Sequence, residues 1–143
     1  MPDYDPDNIF AKIISGTIPC HKVYEDGETI AFMDIMPQGD GHTLVVPKGP
    51  ARNLFDASAP TLTAAIGTTR IVARAIMKAF AADGVTVMQF NEPAAGQSVF
   101  HLHFHVIPRF EGVALRPHSG TMADPEKLKE HAKRIAAALA LDA

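Results

Sequence analysis

The chain has 143 residues, 47% of them hydrophobic, with a formal net charge of −3 and one cysteine, Cys20. We expect a single domain that buries roughly 68–70% of the surface of the unfolded chain. The net charge and the absence of a basic run argue against a nucleic-acid partner, and a lone cysteine excludes an intrachain disulfide. No signal peptide and no apolar span of about 18 residues is found, so we expect a cytoplasmic protein without a membrane partner.

A short helix and a β-hairpin are the first elements expected. Residues 1–7 include three aspartates and two prolines and are expected to form a frayed end without function. Asp7 or Asn8 can cap an apolar helix that runs through Ile14. Residues 21–33 contain two short strands around an Asp-Gly turn signal, which predicts a hairpin.

Two polar residues flank the loop that follows the hairpin. Asp34 ends the second strand, where an aspartate is as often a turn former as a functional carboxylate. His42 opens a short apolar strand over residues 42–47 and, by itself, is typical of a solvated strand end. Neither residue alone indicates a functional site.

A long helix is predicted over Thr61 to Ala82, with Pro60 near its start and Gly84 just past its end. Apolar residues at three-and-four spacing predict which face lies in the core. This face comprises Leu62, Ile66, Thr69, Ala73, Ile76, Met77 and Phe80.

The rest of the chain predicts one strand pair and one helix. Residues 85–91 alternate as a strand antiparallel to the one that follows them. Asp124-Pro125 begins a helix that extends to about Leu139. Residues 110–122 form a loop to which no role is assigned, and His118 and His131, which no motif surrounds, are expected at the surface.

Residues 96–107 are the most informative stretch, because His101, His103 and His105 alternate there with apolar residues. A period of two predicts a strand with the imidazoles on one face and the apolar side chains in the core. Such a row could bind zinc, although three same-face residues span about 13 Å and converge poorly on one ion. It could instead supply a neutral imidazole that attacks phosphorus, with neighbours that bind the developing charge.

The loop over residues 91–98 favours attack on phosphorus. Its Pro, Gly and small polar residues can aim backbone N–H groups and the Ser98 hydroxyl at phosphate oxygens. A metal site would need more Cys, Asp or Glu nearby, and the loop offers only Glu92.

Residues 96–107 resemble the signature of the histidine triad (HIT) family, His-x-His-x-His followed by apolar residues. Segments between residues 8 and 48 resemble the family in the same order, so the match covers most of residues 8–110. The resemblance implies one α+β domain over residues 1–143, with a C-terminal extension from residue 111. Its mainly antiparallel, five-stranded sheet would carry a short N-terminal helix, one long central helix and a C-terminal helix. Members of the family are homodimers joined through the long helix and the strand before the triad.

The resemblance also implies an active site that takes a purine nucleotide and needs no cofactor. His103 would attack the α-phosphorus of an AMP or GMP unit, with its tautomer fixed by a backbone carbonyl, and water would cleave the nucleotidyl-histidine. The other catalytic residues implied are His101, His105, His42 and Ser98. The substrate-binding residues implied are Phe10, Ile13 and Ile18 at the base, Asp34 and Ile35 at the ribose, and Asn91, Gly96, Gln97, Ser98 and Val99 near the phosphate, with Gln97 and Ser98 reaching the leaving group.

Several functions remain open at this point. A branch of the family that hydrolyses nucleoside phosphoramidates and aminoacyl adenylates is most similar, because Gly-Gln-Ser precedes the triad. Dinucleoside polyphosphate hydrolysis, a purine-nucleotide-binding module with incidental catalysis and a metal-dependent enzyme are the alternatives. The structural zinc of some relatives is not expected, because Asn8, Ala11 and Pro50 stand where those relatives have two cysteines and a histidine.

Overall fold

The structure, a computed structural model, describes residues 1–117 and 121–141. Its centre is a five-stranded sheet with the strand order β1-β2-β3-β5-β4, in which every neighbouring pair is antiparallel. The α+β class and the antiparallel five-stranded sheet are therefore confirmed. The strands are β1 (Lys22–Glu25), β2 (Thr29–Met33), β3 (Thr43–Pro47), β4 (Gly84–Met88) and β5 (Phe104–Arg109).

The three predicted helices are present as α1 (Ile9–Ile14), α2 (Ala59–Ala79) and α3 (Pro125–Leu141). Asn8 caps α1 by accepting the Ala11 N–H at 2.9 Å. α2 begins two residues earlier than predicted, because the Ser58 hydroxyl accepts the Thr61 N–H and serves as its cap. Among residues 1–117 and 121–141, no helix is both long and apolar enough to cross a membrane.

The two faces of the sheet pack against different helices. α2 and α3 cover one face and form the larger core, whereas α1 covers the other face through Phe10. Because side chains alternate along a strand, residues 31, 33, 45 and 106 point to the first face and residues 30, 32, 44 and 46 to the second. His105 pairs in register with Leu44, so its imidazole lies on the α1 face.

The predicted core face of α2 is wrong at Ile66 and Met77, although Thr69 and Ile76 are buried as predicted. Ile66 is 53% exposed and Met77 is 37% exposed, although both were expected inside. Ala65, Thr68, Val72 and Ala75, which are not on the predicted face, are buried instead. The buried residues of α2 are Ala65, Thr68, Thr69, Val72, Ala75 and Ile76.

The prediction that His131 lies at the surface is also wrong. Its side chain on α3 is 7% exposed and packs edge-on against the Phe80 ring, with ring centroids 5.1 Å apart. This burial lowers the pKa of His131. His118, the other histidine expected at the surface, lies outside the described residues.

The C-terminal part of the chain lies against the loop between β2 and β3. Arg116 N–H donates to Gln38 O at 2.7 Å, and Ala123 N–H donates to Ile35 O at 2.9 Å. The Lys127 ammonium on α3 lies 3.0 Å from the Asp40 carboxylate. The extension thus supports the loop that leads from Asp34 to His42.

Candidate active site

A cavity of about 360 Å³ lies on the α1 face of the sheet, between α1, β2 and the loop before β5. Most of its wall is apolar, and the polar groups that reach it are few, as in a small-molecule site. The structure brings nine of the predicted site residues together here: Phe10, Ile13, Ile18, Asp34, Ile35, Ser98, Val99, His103 and His105. The remaining lining residues, which were not predicted from the sequence, are Ile9, Pro19, Cys20, His21, Phe32, Met33, Met36 and Leu44.

The histidine row is less regular than a single strand. β5 begins at Phe104, so His101 and His103 precede it, because the Leu102 N–H donates to Ala51 O and not to a ladder partner. The expected strand over all three histidines is therefore wrong at its start. His103 and His105 still line the cavity with ring centroids 5.0 Å apart, whereas His101 lies behind them.

His103 is held in one tautomer by the main chain. Its Nδ1 lies 2.7 Å from His101 O, and a carbonyl oxygen can only accept, so Nδ1 carries the proton. The lone pair of the neutral ring is then on Nε2. The ring of Phe10 packs edge-on against the His103 ring at a centroid distance of 4.9 Å, so α1 also restrains its orientation.

His101 is buried and held from both sides. Its Nε2 donates to Pro47 O at 2.7 Å, which leaves Nδ1 to accept the Tyr4 hydroxyl, also at 2.7 Å. Burial lowers the pKa of His101, so the neutral ring that this arrangement requires is favoured. The expected frayed N-terminus is thus wrong at Tyr4, which contacts the histidine row.

His105 receives the opposite tautomer from a different set of bonds. The Gln38 N–H donates to His42 Nδ1 at 3.0 Å, so His42 must carry its proton on Nε2. His42 Nε2 lies 2.9 Å from His105 Nδ1 and 3.4 Å from Asp34 Oδ2. His105 Nδ1 therefore accepts, and the proton of the neutral His105 is on Nε2. Asp34 is buried, and its Oδ1 accepts the Met36 N–H.

Asp34, His42 and His105 bring three potential metal-ligand atoms within 4.8 Å of one another. The hydrogen bonds argue against a metal ion there. Because the Gln38 N–H occupies the Nδ1 lone pair of His42, its Nε2 is protonated and has no lone pair for an ion.

The residues at the places of the relatives' structural zinc do not fit that ion either. Asn8 uses its side-chain oxygen to cap α1. Ala11 and Pro50 have no side-chain donor atoms, so a tetrahedral set cannot form from these positions.

Gln97 does not reach the cavity, although it was expected near the leaving group. Its Nε2 donates to Arg52 O at 2.7 Å and to Val99 O at 3.1 Å. Its Oε1 accepts from Asn53 Nδ2 at 3.1 Å and from the Glu92 N–H at 2.8 Å. With both ends of the amide occupied, Gln97 holds the loop together.

Asn91 and Gly96 likewise lie outside the cavity lining. Asn91 Oδ1 accepts the Leu54 N–H at 2.9 Å, and its amide pairs with the Gln89 side chain. Gly96 has a φ of 102° and ends the 3₁₀ turn over Pro93–Ala95, a conformation that favours glycine. Both residues shape the loop that carries Ser98.

Comparisons with known proteins agree with this architecture. The model of the HIT domain matches residues 15–112. A Hit-like protein from Bartonella henselae is 55% identical with a TM-score of 0.90, covering 95% of this chain and 99% of that one. Protein hit of Bacillus subtilis is 39% identical and covers 92% and 94%; adenylylsulfatase HINT3 of Arabidopsis thaliana is 33% identical and covers 90% and 66%. The chain therefore belongs to the histidine triad family.

Proposed function

We propose that this protein hydrolyses purine nucleoside phosphoramidates, or related conjugates in which AMP is joined to a leaving group, through a covalent nucleotidyl-histidine. The observation that carries the proposal is the 2.7 Å bond from His103 Nδ1 to His101 O, which puts the ring proton on Nδ1 and the nucleophilic lone pair on Nε2 of a ring that lines the cavity. No cofactor enters the reaction.

The chemistry proceeds in two displacements at the α-phosphorus. His103 Nε2 forms a bond to phosphorus as the bond to the leaving nitrogen breaks, and that nitrogen takes a proton from solvent and departs as a neutral amine to which the Ser98 hydroxyl can hydrogen-bond. Water then attacks phosphorus and gives a proton back to solvent, while the bond from phosphorus to Nε2 breaks and its electron pair returns to His103. A phosphorus–nitrogen bond suits the second step, because it becomes labile when the imidazole is protonated.

Charge that builds on the non-bridging oxygens needs donors close to His103. The Nε2–H of His105 is one, because the relay through His42 gives that ring its tautomer. Ser98 and Val99 line the same cavity, and their backbone N–H groups are the other donors in this mechanism. These donors do not have to reorganise during the reaction.

The lining of the cavity is complementary to a flat, largely apolar base with a polar sugar beside it. Phe10, Ile13 and Ile18 line it together, and Phe10 and Phe32 pack edge-on at 5.4 Å. Asp34 contributes a buried carboxylate that can accept hydrogen bonds from two ribose hydroxyl groups. Ile35 lines the same side and would cover the sugar.

The Arabidopsis relative supports the choice of an AMP conjugate, since its name describes an enzyme acting on adenylyl sulfate. The leaving group is then what distinguishes the candidate substrates. Turnover of a tryptamine adenosine phosphoramidate, adenylyl sulfate and a diadenosine polyphosphate should be compared at equal concentration. We expect the phosphoramidate to have the highest kcat/KM, and a preference for the diadenosine compound would reassign the chain to dinucleoside polyphosphate hydrolysis.

The covalent intermediate can be tested directly. Enzyme mixed with excess adenosine phosphoramidate and quenched in base should gain the mass of one adenylyl group on His103, because the phosphorus–nitrogen bond survives base. His103→Ala should lose at least about 10³-fold in kcat while still binding AMP. Chelators should leave the wild-type rate unchanged. Full activity of His103→Ala, or loss of activity with chelator, would contradict the mechanism.

A nucleotide-binding module with incidental catalysis predicts a different result. Its biological role would survive His103→Ala, provided that the variant binds AMP as the wild type does. Complementation of a deletion strain with His103→Ala separates the two functions, because the hydrolase requires turnover and the module requires only binding.

We further propose that the protein is a homodimer joined through α2 and β4. β4 is an edge strand of the sheet, and Ile66, Ile71 and Met77 on α2 and Val87 on β4 are large exposed hydrophobic residues. Light scattering at micromolar concentration should give twice the chain mass. Ile66→Glu should give a monomer, whereas Met122→Glu, at an exposed residue that lies beside Arg116 and Lys127 and outside α2 and β4, should not. A monomeric wild type would refute the dimer.

A further inference from the structure

Glu92 adopts a backbone conformation that normally requires glycine. Its φ is 75° and its ψ is 158°, a combination that strains any residue with a Cβ atom. The ψ value suits a residue that precedes proline, as Glu92 does before Pro93, so the strain resides in φ. Such a conformation persists only where neighbouring groups hold it.

Those neighbouring groups are present on the Glu92 side chain. Arg52 binds both carboxylate oxygens, with Nε 2.7 Å from Oε2 and an NH2 donor 3.1 Å from Oε1. Asn53 Nδ2 donates to Oε2 at 2.7 Å. Arg52 is itself buried, and its guanidinium stacks 4.1 Å above the Phe100 ring. The planar fork of the guanidinium binds the carboxylate at two points and so fixes its orientation as well as its distance, whereas a lysine ammonium would fix only the distance.

The main chain of Glu92 connects this ion pair to the cavity. The Glu92 O accepts the N–H groups of Ala95 and Gln97, at 3.0 and 3.2 Å. The Gln97 side chain in turn bonds to Glu92 N–H and to Val99 O. The strained residue therefore fixes the path of the segment that ends at Ser98 and Val99, which line the cavity.

We infer that Arg52 and Glu92 form a clamp that holds residues 92–99 in the conformation that receives the substrate phosphate. Both are positioning residues, since neither lines the cavity. The inference rests on the proposed function in that the phosphate belongs to the proposed substrate. The clamp acts by holding a strained backbone angle, so removing the strain should remove the need for the clamp.

Two substitutions at the same residue separate strain from charge. Glu92→Ala and Glu92→Gly both remove the carboxylate and leave Arg52 without its partner, and they differ only in whether a Cβ atom opposes a φ of 75°. We expect Glu92→Ala to lower kcat for the adenosine phosphoramidate on the order of tenfold, and Glu92→Gly to stay within about threefold of wild type. KM should change little for either, because the cavity wall is intact.

Arg52 gives an independent test in a double-mutant cycle. Arg52→Met should lower kcat on the order of tenfold in the wild-type background but only about twofold in the Glu92→Gly background, because glycine needs no support. Arg52→Lys should recover little, since it keeps the charge but loses the fork. This cycle also tests the clamp if Glu92→Ala does not fold.

Hydrogen exchange supplies a readout that does not depend on turnover. The backbone N–H of Gln97, which donates to Glu92 O, should exchange with solvent faster in Glu92→Ala than in Glu92→Gly. Equal kcat and equal exchange in the two variants, or wild-type kcat in Glu92→Ala, would overturn the clamp. If the wild type does not hydrolyse the phosphoramidate, the proposed function fails, and the exchange rates alone decide whether the clamp exists.

Discussion

Tyr4→Phe tests whether the N-terminal segment positions the histidine row. The substitution removes only the hydroxyl that donates to His101 Nδ1 at 2.7 Å, and the ring that packs against His101 remains. Because His101 is 1% exposed, its Nδ1 would lose its partner in a largely dry environment. An unsatisfied buried acceptor costs about 1–3 kcal/mol, and we expect about 1 kcal/mol because half-buried Tyr4 admits some water.

The effect should appear in both stability and turnover. A loss of about 1 kcal/mol lowers the Tm of a domain of this size by roughly 3–4 °C. The carbonyl that fixes His103 belongs to His101, so a shift of His101 also disturbs His103. If the same energy of about 1 kcal/mol is added to the activation free energy, kcat falls about fivefold. KM should not change, because Tyr4 does not line the cavity.

The chain offers a matched control in its second tyrosine. The Tyr24 hydroxyl donates to the Asp26 carboxylate, also at 2.7 Å, but at the surface and on β1, which β2 and β3 separate from β5. Tyr24→Phe deletes the same atom from a bond of the same length. Because that bond is to Asp26 and not to the histidine row, kcat should be unchanged. If steady-state kinetics give both variants the same kcat, the positioning role of Tyr4 is wrong.

Two other histidines lead to predictions of different kinds. His42→Phe removes the Nε2–H that fixes His105, so kcat should fall about tenfold at constant KM, and an unchanged kcat would refute the relay. Burial lowers the pKa of His131 in the native state. Below about pH 6.5, His131 is therefore protonated more fully in the unfolded chain than in the native state, and the free energy of unfolding decreases as the pH falls. His131→Leu should therefore lose less stability than wild type between pH 7 and pH 5, as measured by urea midpoints; equal losses would contradict this sign.

The elements that could be predicted from the sequence depend on short-range interactions. The hairpin turn forms because the Asp26 carboxylate accepts the N–H groups of Glu28 and Thr29, all within four residues. The cap of α1 at Asn8 is equally local. The alternation around His103 and His105 placed both imidazoles on one side, since a strand-like path needs only a period of two.

The core face of α2 illustrates what periodicity leaves open. Large apolar residues at three-and-four spacing indicate a stripe, but they do not indicate which partner covers it. Here Ala65 and Ala75 lie against the sheet, and Ile66 and Met77 face outward. In the proposed homodimer a second copy would cover that outward stripe, and this would account for its apolar composition.

The groups that hold the site could not be found from local patterns. Tyr4 and His101 are 97 residues apart, and Arg52 and Glu92 are 40 apart. No periodic pattern links residues at such separations, and each pair forms only after the sheet has brought its elements together. A Glu before a Pro also reads as ordinary loop sequence, so the strain at Glu92 is visible only in its φ angle.

The histidine row holds two rings of one residue type in opposite tautomers. His103 and His105 are two positions apart and share a cavity, so their surroundings alone would give them similar chemistry. A carbonyl acceptor fixes His103 with its lone pair on Nε2, whereas a backbone donor acting through His42 gives His105 a proton on Nε2. In the proposed mechanism the first ring therefore attacks phosphorus while the second donates to its oxygens. This division depends on opposite hydrogen-bond partners at Nδ1, a carbonyl oxygen at His103 and the Nε2–H of His42 at His105.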